Sequence, residues 1–331
     1  MHRVIAGLDP QAYRRSALHD PARRWPETNC YVDLWIEAVH AAGFDPAAVL
    51  GFTLAQDFEG DQFTFFKMPT DDLARLYGID VQELSIFDRL EGHVVEQARR
   101  GRLCLVEVDA FFLPDTRGVS YRQGHSKTTI GINAIDPVAK VLHYFHNAGY
   151  FALDGEDYDG LFRGEREGGL PLFPYVEFAR FGLTAPARSL LDEARRLLAH
   201  HLTRRPQSNP LRAWAAQFEV HAADLAGRPP EWFHTYAFNT LRQVGADFEL
   251  LGSHLTWLGA QGERDLGGAQ AAAESIAETA KSMQFKLARA MARKKFDGLI
   301  EMIESMAVAH DEVLGTLRRR YGRSERTGVA A

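Results

Sequence analysis

From about residue 185 to 321 the chain repeats one pattern, apolar side chains at three- and four-residue spacing. In "APARSLLDEARRLLAHHLTRR" the positions Leu190, Leu191, Ala194, Leu197, Leu198 and His201 recur this way, and like segments follow at 210–226, 230–258, 265–296 and 296–321. Connectors such as "GRPP" and "GAQGERDLGG" are short, and short connectors make helices fold back as antiparallel neighbours. This half therefore predicts an all-helical bundle. The first half cannot join it, because "RLCLVEVDAFFL" (102–113) and "FTFFKM" (63–68) are rich in strand-favouring residues. "TTIGINAIDPVAKVLHYFHN" (128–147) reads as two strands around an Asp-Pro turn. "PTDDLARLYGID" (69–80) and "DRLEGHVVEQARRG" (88–101) read as helices, the second closed by Gly101. The expected organisation is an α+β domain over 1–165, a helical bundle over 166–322 and a disordered tail over 323–331. The boundary falls in the Gly- and acid-rich "LFRGEREGGLPLFPY" (161–175).

With 331 residues the chain is long enough for two domains. No apolar run approaches the roughly 18 residues of a membrane span, and the N-terminal "MHRVIAGLDPQAYRRS" has no secretory h-region. Two cysteines form no disulfide framework, so the expected setting is a reducing cytoplasm. A net charge of -6 argues against a dedicated nucleic-acid binder. Zinc spacing, P-loop and dinucleotide Gly fingerprints are absent from the sequence, and no bound cofactor or metal is expected.

Cys30 follows Thr28 and Asn29, two helix-capping residue types, and precedes the helical pattern Tyr31, Leu34, Trp35, Ala38, Val39, Ala42. Most cysteines are inert core. A cysteine at a helix start differs, because unpaired N–H groups and the helix dipole favour a thiolate there and can hold an oxyanion. Cys104, inside the strand-like "LCLVEV", reads as core. A thiolate nucleophile needs a base and a group that orients the base. His125, after Gly124 and before a strand, is one candidate, with Asn147 at the end of the next strand as orienting residue. Both have bland readings, as a loop histidine and a turn-forming asparagine. His146, beside Asn147, is the competing base.

The ordered pieces "NCYVDLWIEAVHAAGFDP", "GRLCLVEVDAFFLPD", "GHSKTTIGINAIDPVAKVLHYFHNAG" and "LDGEDYDGLF" resemble the N-terminal domain of the butirosin biosynthesis protein H group. That group is itself similar to papain-like cysteine peptidases of the bacteriocin-processing type. The likeness covers about 40% of the chain, residues 28 to 163. The whole chain also resembles an uncharacterised bacterial family found with carrier proteins and their loading ligases. The resemblance implies a papain-like cysteine peptidase-type N-terminal domain and acyl transfer. An acyl or aminoacyl group would pass from the phosphopantetheine arm of a partner carrier protein to an enzyme cysteine, then to a small-molecule or second carrier acceptor. Carried over, Cys30 is the nucleophile, His125 the general base and Asn147 its orienter. The pattern departs in one respect. The glutamine usual a few residues before the cysteine is missing, Gln11 being 19 residues upstream, which leaves Asn29 or Gln56 as the second oxyanion donor. A cysteine hydrolase and a non-catalytic carrier-protein adaptor are the alternatives.

Three further groups carry a structural and a functional reading. Asp109 in "EVDAFFLPDT" is either paired structurally, with an arginine or a backbone amide, or contacts a substrate amine. Asn239, Arg242, Glu249 and His254 interrupt an aromatic-rich helix, as a solvated stripe or a substrate-selecting lining. Lys286, Arg289, Arg293 and Lys294 form a basic run, either a solvated face or a docking site for an acidic carrier protein.

Overall fold

The computed structural model describes residues 1–163, 173–182 and 188–322. They gather into two compact units. Met1–Asp20, Asn29–Pro46 and Pro69–Ala187 make the first, and Pro21–Thr28, Ala47–Met68 and Arg188–Ala331 the second.

The first unit is α+β. Its strands, numbered along the chain, are β1 (His2–Arg3), β2 (Asp80–Glu83), β3 (Leu103–Asp109), β4 (Lys127–Asp136), β5 (Val141–His146), β6 (Gly149–Asp154) and β7 (Val176–Arg180). They form one antiparallel sheet in the order β2-β7-β3-β4-β5-β6, with β1 also on β4. Its helices are α1 (Cys30–Ala41), α2 (Thr70–Tyr77), α3 (Leu90–Arg99) and α4 (Gly155–Leu161). Side chains alternate across a sheet, and the alternation here sorts two faces. Cys104, Val106, Ile130, Ile132, Tyr144 and Val176 pack with Val94 and Ala98 of α3 and Tyr158 of α4. The other face carries α1. A Cβ built on Gly131 would point at Leu34, 3.6 Å away. The Tyr31 hydroxyl donates to Glu177 on β7 at 2.7 Å, while Glu37 is met by Tyr13, whose ring lies against Phe145 and Tyr150 of β5 and β6. Helix α1 thus crosses the strands, with its cysteine end toward β7.

The second unit is helical: α5 (Leu190–Arg204), α6 (Pro210–Gly227), α7 (Trp232–Asn239), α8 (Leu241–Ala260), α9 (Gly267–Arg293) and α10 (Leu299–Tyr321). The single helix expected over 230–258 breaks at Thr240, whose φ and ψ of -124° and -79° are not helical. No helix among the described residues is long and apolar enough to cross a membrane.

Two expectations about organisation change. "FTFFKM" is not a strand. Phe63 makes one isolated bridge to Phe58 and packs its ring 5.3 Å from Trp214, so residues 47–68 belong with the helices. Nor does the α+β part end at 165. That position lies outside the described residues, and β7 beyond it pairs with β2 and β3. The expected tail, 323–331, also lies outside the described residues.

Candidate active site

Asn29 caps α1, its side-chain oxygen accepting from the Val32 amide at 3.0 Å. Cys30 is therefore the first helical residue and half-buried, and the next amides of the turn are already used, Val32 by the cap and Asp33 by the Asn29 carbonyl at 3.0 Å. The Asn29 carbonyl side is spent on the cap, the ordinary use of asparagine at a helix start. Gln56 belongs to the helical unit, buried after the 3-10 segment Pro46–Ala55. Gln11 is exposed near the N terminus.

His125 ends the 110–126 connection between β3 and β4. Its Nδ1 lies 2.5 Å from Asp109 Oδ2. The other carboxylate oxygen, Oδ1, accepts from the amides of Phe111 (3.1 Å) and Ser126 (3.2 Å). Partial burial pushes the Asp109 carboxyl up, but the His125 ring and those two amides outweigh it and hold it below its ordinary value. An ionised Asp109 fixes Nδ1 as the N–H end and leaves Nε2 of this 72%-exposed side chain turned to solvent. The ring also stacks on Phe111, 4.6 Å between centroids and 16° between planes. Asp109 shares a face with Leu105, which pairs with Gly131. By alternation this is the face that α1 covers. The described histidine ring is hydrogen-bonded to Asp109 and not to Cys30.

Asp109 therefore stands where Asn147 was expected. Asn147 occupies the two-residue turn between β5 and β6 with φ +44°, a left-handed position that asparagine tolerates, and it is not a partner of His125. His146, the competing base, is 1% exposed and fully engaged. Its Nδ1 meets Asp115 at 2.5 Å, its Nε2 meets Thr128 at 2.8 Å, and Asp115 also accepts from Tyr144. Tyr144 and Thr128 lie on the α3 face, so His146 points away from α1. Cys104 is fully buried, and burial pushes its thiol up to about 12.

The remaining predicted positions are in the helical unit. Glu249 accepts from the amides of Arg24 (3.0 Å) and Trp25 (2.9 Å), and Arg242 donates to the Glu27 carbonyl at 3.0 Å. This pair, two turns apart on α8, grips segment 21–28 and does not line an open face. Asn239 donates back to Thr235 within α7. His254 is completely buried, gives its Nδ1 to the Ala47 carbonyl, and is pushed down to about 4 by that burial. Lys286, Arg289 and Arg293 are exposed, whereas Lys294 donates to the carbonyls of Leu225 and Arg228. No cluster of metal-ligating side chains occurs among the described residues.

Sequence reasoning missed a buried network behind Cys30, in which His19 joins Asp33 and Glu37 of α1. The spacing of Asp33 and Glu37, one helical turn on an otherwise apolar helix, was the available signal.

Fold and site together define a two-part protein. An antiparallel α+β unit carries an exposed Asp-His pair and a helix-start cysteine, and a helical unit follows. Residues 14–181 match the model of the DUF1839 N-terminal domain and residues 187–319 that of the DUF1839 C-terminal domain. The chain belongs to the DUF1839 family. No curated protein matches it.

Proposed function

We propose that the protein is a cysteine-dependent acyltransferase, with Cys30 as nucleophile, His125 as general base and acid, and Asp109 as the residue that orients the ring. One observation carries the reading: Asp109, on the side of β3 that faces α1, holds the exposed His125 ring at Nδ1 and leaves its Nε2 available to a thiol. A carboxylate-held imidazole is the base that a thiol nucleophile requires, and it supports assigning Cys30 as that nucleophile. The resemblance to the butirosin biosynthesis protein H group supports a papain-like reading of the sheet unit and a carrier-protein thioester as acyl donor, in the cytoplasm.

In the proposed reaction His125 Nε2 takes the Cys30 proton and the sulfur attacks the thioester carbonyl. The Cys30 amide, at the positive end of α1, receives the oxyanion. The new C–S bond forms, the carrier's C–S bond breaks, and the departing pantetheine thiolate takes the proton from His125. An acceptor amine or thiol then attacks the enzyme thioester, losing its proton to His125 as Cys30 leaves.

The test is incubation with an aminoacylated carrier protein, followed by intact mass. A covalent aminoacyl adduct that is absent in Cys30→Ala supports the transferase. Release of free amino acid, dependent on Cys30 but unaffected by any added amine, makes the protein a hydrolase. Unchanged carrier thioester in the presence of the wild type refutes the catalytic reading.

A further inference from the structure

Helix α7 leaves two of its aromatic residues partly exposed. Ala237 is its buried residue, while Trp232 and Phe238 are 41% and 38% exposed, and Phe285 on α9 is 62% exposed. Contacts at both ends hold α7 beside the C-terminal half of α9. At one end Lys294 Nζ donates to the carbonyls of Leu225 (3.3 Å) and Arg228 (2.5 Å), and the Arg228 guanidinium covers Trp232 at 4.3 Å. At the other, Arg242 covers Phe238 at 5.2 Å and its charge bears on Lys281, one helical turn before Phe285. Between these ends Lys286, Arg289 and Arg293 follow at spacings of three and four on α9. All three are exposed, and none is ion-paired among the described residues.

The chain carries a net charge of -6, yet Lys286, Arg289 and Arg293 gather here with no carboxylate paired to them among the described residues, while Arg228 and Arg242 are matched by Asp224 and Glu27. Exposed aromatics interleaved with arginines are the composition of a protein-binding surface. We propose that the α7/α9 surface docks an acidic protein. Its carboxylates would meet Lys286, Arg289 and Arg293, and its apolar side chains would pack on Trp232, Phe238 and Phe285. An anionic membrane fits less well. Helix α7, at eight residues, offers no continuous apolar stripe to bury in lipid. The acyl donor proposed above would be one partner of this kind, but the surface contains none of the atoms assigned to chemistry and does not rest on that reading.

The experiment uses the full chain with two probes: apo acyl carrier protein, as a small acidic helical protein, and vesicles of phosphatidylcholine and phosphatidylserine. The expected result is saturable binding of the carrier, weakened by salt. It should fall at least about tenfold both in Arg289→Glu/Arg293→Glu and in Trp232→Ala/Phe238→Ala, since both charge and aromatic anchors contribute at such surfaces. Circular dichroism checks that these surface variants fold, and Cys30→Ala should bind as the wild type does. Carrier binding indifferent to the aromatic variants, binding to vesicles alone, or binding to neither probe overturns the proposal.

Discussion

His19 should make the sheet unit alkali-sensitive well before its tyrosines ionise. The ring is 1% exposed, with Nδ1 bonded to Glu37 and Nε2 3.3 Å from Asp33. Glu37 also accepts from the Tyr13 hydroxyl (2.5 Å) and the Ser16 amide (3.0 Å), so the ring closes a network that pins residues 13–19 onto α1. Burial, the largest single influence, pushes the imidazole down. The bonds and charges of Asp33 and Glu37 together exceed it and take His19 up to about 9. A folded value above the unfolded one means that the native state binds the extra proton. The stabilisation is complete below about pH 6.5 and is lost as pH rises through about 9. The interval between 6.5 and about 9, at about 1.4 kcal/mol per pH unit, amounts to about 3 kcal/mol. The assay is urea unfolding of a Cys30→Ser background at pH 6 to 9.5, each equilibrated sample pulse-labelled at one fixed pH. Cys104 is the reporter, because it is wholly buried in the sheet unit and reacts only once the sheet opens. Wild type should exceed His19→Gln by about 3 kcal/mol near pH 6, and the advantage should shrink toward zero above about pH 9. Titration of the unfolded Cys104 and tyrosines is common to both chains and cancels. An advantage that stays constant with pH, or grows as pH rises, refutes the buried imidazolium.

The helical unit should respond to acid instead. Burial pushes His254 and His310 down to about 4, so their native forms bind fewer protons than the unfolded chain, and stability should fall as pH drops from about 6.5 to about 4. Asp247, completely buried with neither carboxylate oxygen hydrogen-bonded, is pushed well up and acts in the opposite sense, so Asp247→Asn should steepen the acid loss while raising stability at pH 7. Urea midpoints of the helical unit across that range check both. Gly245→Ala should destabilise the docked 21–28 segment by about 1–3 kcal/mol, because its Cβ would sit 2.4 Å from the Trp25 ring. Hydrogen exchange of α8, α9 and residues 21–28 should show the loss there, and unchanged protection would contradict the packing.

The sequence revealed most where a segment decides its own structure. Helices α5, α6, α9 and α10 follow from apolar spacing, and β3, β4 and β5 from β-favouring runs bounded by turns. It failed where distant segments decide. "FTFFKM" has strand composition, but the burial of Phe63 and Phe66 is satisfied among helices, so tertiary packing overrides local preference. Strand β7 was invisible because its pairing partners, β2 and β3, are far away in the chain. At the proposed site, the helix start at Cys30 is legible from local capping chemistry. Sequential order points to Asn147, but the group that meets His125 is set by register: Asp109 pairs with Lys127 across β3 and β4, which brings its carboxylate to the ring. A strand ending in Asp, followed by a connection ending in His before an antiparallel strand, is the pattern that could have shown it.

The most direct measurement of the central claim needs no substrate. It is the rate at which Cys30 is alkylated by iodoacetamide as a function of pH, in the wild type and in the His125→Ala and Asp109→Asn variants, with the buried Cys104 as the unreactive internal control. At mildly acidic pH the wild type should react about tenfold faster than His125→Ala, with Asp109→Asn between them, because in the proposed site the imidazole takes the thiol proton and the carboxylate holds the imidazole. Identical rate-against-pH profiles for all three proteins would contradict it, leaving Cys30 an ordinary helix-start thiol and the Asp109–His125 pair without a nucleophile to serve.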